Sequence, residues 1–320
     1  MIIRGKVIIV VIRLGYVAIS KTIENYANQH TITYTNYQKN NDETKLDNII
    51  KNNLESLYEI LKYNIKNNIH FYRISSNLIP LATKKEVTLD YIDKYTSYYQ
   101  KISKIINENN IRVDMHPSNY CVLNSTKEEV INASIDILNY HYGLLNKLEI
   151  KNKLIILHVG SSTFGKKNSL SRFINNFQKL PKHLQNIIAI ENDDKVFGVE
   201  DCLYLSELLN IPFVLDYHHF KCNNNGENID NSLDRIIKTW KQNNPKMHFS
   251  SPKSQKDYRS HNDYINSKDF IEFLNILSKY HQDIDIMLEA KAKDEALFRL
   301  IRELKYQTNY HFIDETTFEI

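Results

Sequence analysis

The sequence predicts an α/β chain closed into a (β/α)8 TIM barrel, on three observations. Eight short apolar segments recur along the 320 residues. Between them lie stretches whose apolar residues fall three and four apart, the helical period. No glycine-rich turn follows the first apolar segment, so the dinucleotide fingerprint of an open doubly wound sheet is absent.

The expected strands are VIRLGYVA (11–18), HFYRIS (70–75), IRVDMH (111–116), LIILHV (154–159), IIAIEN (187–192), PFVLDY (212–217), KMHFS (246–250) and IDIMLEA (284–290). Among the helical stretches, 46–65 is the clearest: Leu46, Ile49, Ile50, Leu54, Leu57, Leu61 and Ile65 form one stripe. Ser125 followed by Glu128 reads as a capping box opening a later helix. Such barrels commonly use ~250 residues as one unit. Residues 1–320 therefore read as a single domain, with 1–11 an N-terminal extension.

Hydrophobic residues make up 42% of the chain and charged residues 25%, which excludes an intrinsically disordered protein. A net charge of +3 and a pI of 8.4 are too mild to establish a nucleic-acid partner. Cys121, Cys202 and Cys222 are odd in number and lack C-x-x-C spacing, the pattern of reduced thiols in the cytoplasm. The run VIIVVI at 7–12 is too short for a signal-peptide core and leads into Arg13. No stretch approaches the ~20 apolar residues that span a bilayer. The expectation is a cytoplasmic monomer with no membrane association and no obligate protein partner.

In a barrel of this kind the C-terminal strand ends face the active site. Those ends carry His116, His158, Glu191, Asp216 with His219, His248 and Glu289, and His261 lies in the loop after the seventh strand. His219 stands three residues beyond Asp216, so the chain must turn there to bring both inward. A lone histidine at a strand end is usually structural. Several buried carboxylates among several imidazoles are costly without a cation, and metal ions supply one. A single catalytic zinc takes three protein ligands and a water. Eight candidates exceed that and suit two or three ions, with Glu191 bridging. Imidazole and carboxylate without thiolate suit Mn²⁺, Zn²⁺ or Co²⁺. His218 reads as a residue that orients a neighbouring ligand.

Closely spaced ions serve displacement at phosphorus, but also sugar isomerisation and amide hydrolysis. Lys166, Lys167, Lys253, Lys256, Arg259, Lys291 and Lys293 lie on the same expected face and favour a polyanion over a neutral sugar. Tyr16 and Tyr120 on that rim are candidates for stacking on bases.

RLGYVAIS, YRISSNLIPLA, MHPSNY, LHVGSS, ENDDK, LDYHHF, KMHFSSPKS, RSHNDYI and MLEAKAKDEAL, in this order from about residue 12 to 305, together resemble the UV damage endonuclease family. That family belongs to the barrel superfamily of endonuclease IV and xylose isomerase. The resemblance implies a repair enzyme that nicks double-stranded DNA immediately 5′ to a UV photoproduct, leaving a 3′-hydroxyl and a 5′-phosphate. It also implies a cluster of two to three divalent ions, usually Mn²⁺, with Zn²⁺, Co²⁺ or Mg²⁺ as alternatives. The implied ligands are His116, His158, Glu191, Asp216, His219, His248, His261 and Glu289. Glu191 and Lys246 take catalytic roles, Lys246 by contacting phosphate or by carboxylation. Asn119 and Tyr120 of HPSNY wedge into the duplex, with Tyr16, Lys253 and Arg259 as further DNA contacts. The sequence departs from the family at Asn119, where Gln is usual, at Ser161 and Gly165-Lys166-Lys167 after the fourth strand, and at Ser20, where some members have Asn. An abasic-site endonuclease on the same barrel and a non-cutting damage-binding protein are the alternative readings.

Overall fold

Each of the eight apolar segments contains a strand: β1 Val11–Tyr16, β2 Phe71–Ile74, β3 Arg112–Met115, β4 Ile155–His158, β5 Ile188–Glu191, β6 Phe213–Asp216, β7 Lys246–Phe249 and β8 Ile284–Leu288. The computed structural model describes residues 9–23, 30–40, 43–87 and 89–320, so residues 1–8 of the expected extension lie outside the described residues. The strands pair in parallel in the order β2-β3-β4-β5-β6-β7-β8-β1. A bridge from Val17 to Arg73 and a bond from the Ala18 N–H to the Arg73 carbonyl (3.1 Å) join β1 to β2. The chain is a (β/α)8 barrel.

Alternation along the strands decides what each residue faces. Ile12, Leu14 and Tyr16 point outward and belong to the main apolar core between sheet and helices. Val17, Phe71 and Met287 form a separate cluster inside the barrel. Leu154, Ile156, Ala189, Val214 and Trp240 form another. Buried Arg73, Asp114, Lys246 and Asp285 lie on the inward parity of β2, β3, β7 and β8. The barrel interior is therefore apolar against some strands and charged against others.

Helix Glu43–Lys66 shows how the outer layer holds. It buries Leu46, Ile50, Leu54, Leu57, Ile60 and Leu61 on one stripe, each such side chain contributing ~1.5–3 kcal/mol. Two asparagines share that buried face, each tied to a neighbouring segment, although the Asn64 Nδ2 has no partner. Asn53 donates to the carbonyls of His30 and Leu78, and Asn64 accepts from the Tyr16 hydroxyl at 2.8 Å. Among the described residues, no helix is long and apolar enough to cross a membrane.

Two features depart from expectation. The capping box at Ser125 does not form. Helix Glu128–Lys147 has Lys127 at its N-cap with no side-chain bond, and the Ser125 hydroxyl accepts from the Lys127 N–H (3.1 Å) in a turn before the helix. Glu128 is then the first helical residue, where its charge complements the helix dipole together with Glu129. A C-terminal hairpin, β9 His311–Phe312 and β10 Thr317–Glu319, was not expected. Its strands are too short to show a period. β10 pairs antiparallel with the first half of β1, Val11 opposite Glu319, and fills the seam that β2 leaves there.

At Gly15 β1 lies close against β2: an added Cβ would lie 2.7 Å from the Phe71 ring and 2.9 Å from its carbonyl oxygen. The ring can shift, but the carbonyl belongs to the wall. Gly15→Ala should destabilise the fold by ~1–3 kcal/mol, the usual cost of overpacking. Urea unfolding with unchanged stability would show that the two strands can part without penalty.

Candidate metal centre

FVLD of β6 is buried on both faces, and the strand stops at Asp216 because that residue caps the next turn. Its Oδ1 accepts from the His219 N–H at 2.8 Å, starting the short helix Tyr217–Cys222. The turn brings His219 Nδ1 to 3.7 Å from Asp216 Oδ2. Asn192, just past β5, ties the two strand ends together: its amide donates to the Asp216 carbonyl and its Oδ1 accepts from the Asp216 N–H, both at 2.9 Å.

All eight expected ligands converge on one network, and Glu191 is its hub. The fully buried Glu191 carboxylate lies 2.7 Å from His116 Nε2, 3.7 Å from His158 Nε2, 2.7 Å from His248 Nδ1 and 3.9 Å from His219 Nδ1. Glu289 joins through His248 Nδ1 at 3.5 Å and His261 Nδ1 at 4.0 Å. Burial alone would raise Glu191, but the imidazoles of His248 and His158 outweigh it and hold the acid well below the usual carboxylate range. Burial lowers both His158 and His248. At His219 burial also acts downward, yet Asp216 and Glu191 prevail and lift it to about 9.

The donor atoms suit metal ions. Two triplets could hold one ion each, His116–His158–Glu191 and Glu191–Asp216–His248, with ligand atoms within 4.8 Å of one another. Glu191 belongs to both. His116 gives Nδ1–H to the Pro117 carbonyl at 2.9 Å, so in the neutral ring the Nε2 lone pair faces a Glu191 oxygen at 2.7 Å. Two lone pairs so close require a cation between or beside them. His219 likewise gives Nδ1–H to the Asn192 carbonyl (3.0 Å), which leaves Nε2 as its donor atom. Asp216 Oδ2 and His158 Nδ1 are buried with no hydrogen-bond partner.

Arg73 is the main group the sequence reading missed. Its guanidinium lies 2.5 Å from both Glu289 Oε1 and His248 Nε2, and 3.4 Å from Asp114. Both His248 nitrogens are thereby engaged. His248 joins an ion through Nδ1 only by surrendering the proton it shares with Glu191. The signal was an arginine inside the apolar run HFYRIS, and Asp114 two residues before His116 was a parallel one. His218 stays out of the carboxylate network. Its buried ring packs 5.5 Å from His261 and 5.7 Å from Tyr258, centroid to centroid.

Two expected roles are corrected by burial. Tyr16 is not on the rim; it is fully buried on the outward face of β1 and bonded to Asn64, so it cannot stack on a base. Ser20, expected beside it, is buried with its hydroxyl on Asp294 at 2.6 Å. Lys246 does not reach the mouth as a phosphate contact. Its side chain is fully buried with Nζ against Asp114, and burial, aided by Arg73 and Arg112, pushes it well below the usual lysine range. Asn119 and Tyr120 are exposed, Tyr120 at 85%. They line a cleft of about 760 Å³ that reaches His158 and His219. Arg259 flanks the cleft through an ion pair with Asp194 at 2.6 Å, and exposed Lys253 lies 3.4 Å from Asp257. Lys166 is paired with Asp201 at 2.6 Å.

Residues 12–317 match the model of the family described as UV-endonuclease UvdE. The UV DNA damage endonuclease of Bacillus cereus (strain B4264) is 39% identical over 299 residues, covering 92% of this chain and 94% of its own. That of Bacillus mycoides (strain KBAB4) is 39% identical over 300 residues, at 92% and 95% coverage. Among solved structures, SacUVDE superposes with a TM-score of 0.84 at 38% identity, covering 92% of this chain and 98% of that one. Endonuclease IV from Thermus thermophilus shares the fold alone, with a TM-score of 0.53 at 13% identity over 78% of this chain and 93% of that one. A barrel whose strand ends gather four imidazoles around one buried carboxylate thus carries the sequence of the UV-endonuclease family, to which this chain belongs.

Proposed function

We propose that this protein is a metal-dependent endonuclease that hydrolyses the phosphodiester immediately 5′ to a UV photoproduct in duplex DNA, as a step in excision repair. The observation that carries this reading is Glu191, shared by two ligand triplets at the barrel mouth, beside a cleft edged by exposed Asn119 and Tyr120. Membership of the family supplies the substrate class.

His116, His158, Glu191, Asp216, His219, His248, His261 and Glu289 would hold two or three ions, with Mn²⁺ the expected metal. Bound there, they would supply Lewis acidity, acidifying a water for attack on phosphorus and balancing charge on the attacking and leaving oxygens. Water adds to phosphorus and the P–O3′ bond breaks, so the 3′ oxygen takes up a proton and the phosphate stays on the 5′ end. Glu191, held ionised, bridges the two triplets. Asn192 and the Pro117 carbonyl fix the rings of His219 and His116. Buried Lys246, with its basicity depressed, is an amine suited to carboxylation rather than to gripping phosphate. Tyr120 and Asn119 enter the duplex at the lesion, where stacking is already weak and extrusion is cheaper. Lys253 and Arg259 track the backbone from the rim.

The deciding experiment uses a 5′-labelled duplex with one cyclobutane dimer, incubated with Mn²⁺ or a chelator, beside undamaged and abasic duplexes. A metal-dependent nick just 5′ of the dimer is expected. Cutting only at the abasic site would make the protein an abasic-site endonuclease, and metal binding without cutting would leave a damage-binding protein.

Three outcomes follow from the geometry. Glu191→Gln should lower incision at least ~10²-fold and reduce bound Mn²⁺, with the far-ultraviolet circular dichroism unchanged; retained incision would remove its bridging role. Base–aromatic stacking is worth ~1–3 kcal/mol, so Tyr120→Ala should weaken binding of the dimer duplex on the order of 10- to 100-fold while metal content stays constant. Equal discrimination in that variant would clear Tyr120 of any contact with the lesion. His219, at about 9 against an ordinary 6.5, carries a proton at neutral pH in the metal-free chain and must release it to ligate. Mn²⁺ affinity should therefore rise with pH up to about 9 and level off. By the same shift, His219 stabilises the metal-free fold below pH 6.5, and that contribution is lost as pH rises through about 9. Calorimetric titrations showing neither proton release nor pH dependence would take His219 out of the ligand set.

A further inference from the structure

At the opposite end of the barrel the interior charges do not balance. Arg13 at the start of β1 and Arg112 at the start of β3 converge on one carboxylate, Asp285, which is fully buried. Arg13 donates from Nε at 2.6 Å and from Nη2 at 2.9 Å to its two oxygens. Arg112 Nη1 donates to the same carboxylate at 2.7 Å and to the Asn244 carbonyl at 2.9 Å. One negative charge thus serves two guanidiniums. The next interior carboxylate, Asp114, is engaged by Lys246 and, at 3.4 Å, by Arg73, and has no ion pair with Arg13 or Arg112 among the described residues.

The surplus faces a cavity of about 700 Å³ at the N-terminal mouth, a volume suited to a small molecule rather than a duplex. Both arginines line it, Lys151 and Lys153 add charge at its edge, and no aspartate or glutamate is among the residues lining it. Arg13 Nη1 and Arg112 Nε and Nη2 have no hydrogen-bond partner among the described residues. Their side chains are 30% and 20% exposed, so those N–H groups are open to the cavity. The pairing with Asp285 holds both guanidiniums in place, and Trp240 packs against Arg112 with 5.2 Å from the guanidinium carbon to the ring centroid. Fixed guanidinium forks beside Lys151 and Lys153, which have no ion pair among the described residues, match the oxygens of a phosphate.

We propose that the N-terminal mouth of the barrel, around Arg13, Arg112, Lys151 and Lys153, is a second binding site that takes a small phosphorylated anion. It stands apart from the metal centre, which lies at the C-terminal strand ends, and does not depend on the function proposed there.

Trp240 is the only tryptophan in the chain and lies in the cavity wall, so its fluorescence reports on this site and not on the metal centre. The full chain, stripped of metal, is titrated with pyrophosphate and, separately, with a nucleoside monophosphate, exciting at the red edge where tyrosine does not absorb. A saturable change in Trp240 emission is expected from at least one. Arg112→Gln, which leaves Asp285 paired with Arg13, should weaken that binding about 10- to 100-fold, the worth of charge-assisted hydrogen bonds. The surface double variant Lys151→Gln/Lys153→Gln, which disturbs no ion pair, should weaken it by about 3-fold. It tests the proposal even if Arg112→Gln fails to fold. No saturable change with either anion would overturn the site, as would wild-type midpoints in the variants. A short duplex that shifts Trp240 where neither small anion does would overturn it in favour of a DNA surface.

Discussion

A carboxylate with no solvent exposure, surrounded by imidazoles, is the constraint on which the rest of this molecule depends. Glu191 ends β5 at the barrel mouth and has His116, His158, His219 and His248 within 4 Å. Burying such a group without positive charge costs several kcal/mol, so the surroundings must supply that charge. In the metal-free geometry protons and Arg73 supply it. His219 is raised to about 9, and the Arg73 guanidinium reaches across to Glu289 and His248. Divalent ions shared through Glu191 would serve the same electrostatic need and add Lewis acidity.

The barrel makes this arrangement possible by partition. Residues of one parity on each strand face the helices and are apolar almost without exception. The other parity builds an interior in which apolar clusters stand beside charged pairs: Arg13 and Arg112 on Asp285, Lys246 on Asp114, and Arg73 on Glu289. These pairs run from the N-terminal mouth to the C-terminal strand ends. Removing Asp285 would leave two guanidiniums without their carboxylate, and for that reason the interior behaves as a linked set.

How much could be read beforehand differed from element to element, for physical reasons. All eight strands were legible because runs such as LIILHV and IIAIEN are buried on both faces and so are continuously apolar. The convergence of imidazoles and carboxylates at the mouth was legible because polar groups ending such runs are rare and the fold sends those ends to one place. Tyr16 was misplaced because period 2 says which residues share a face but not which face is inside. Arg73 and Asp114 were missed although they lie in apolar runs, since a single charge in a short strand is easily taken for an edge. The Ser125 cap failed because Ser125 and Glu128 are spaced for a capping box while the helix begins at Glu128 itself. The C-terminal hairpin is held by its pairing with β1, a contact between the two ends of the chain that no local pattern announces.

The sequence by itself determined the fold class, the order of strands and helices, the family and the set of imidazoles and carboxylates that meet at the barrel mouth, because all of these follow from local periodicity and from motifs in a fixed order. Tertiary structure alone decided which of those residues touch. It made Glu191 the hub, put Arg73 against His248, sank Lys246 and Tyr16 out of reach of any substrate, and set two arginines on one carboxylate at the far mouth. Distances and burial arise from closing the barrel, where residues a hundred or more positions apart become neighbours, and charge chemistry depends on those distances.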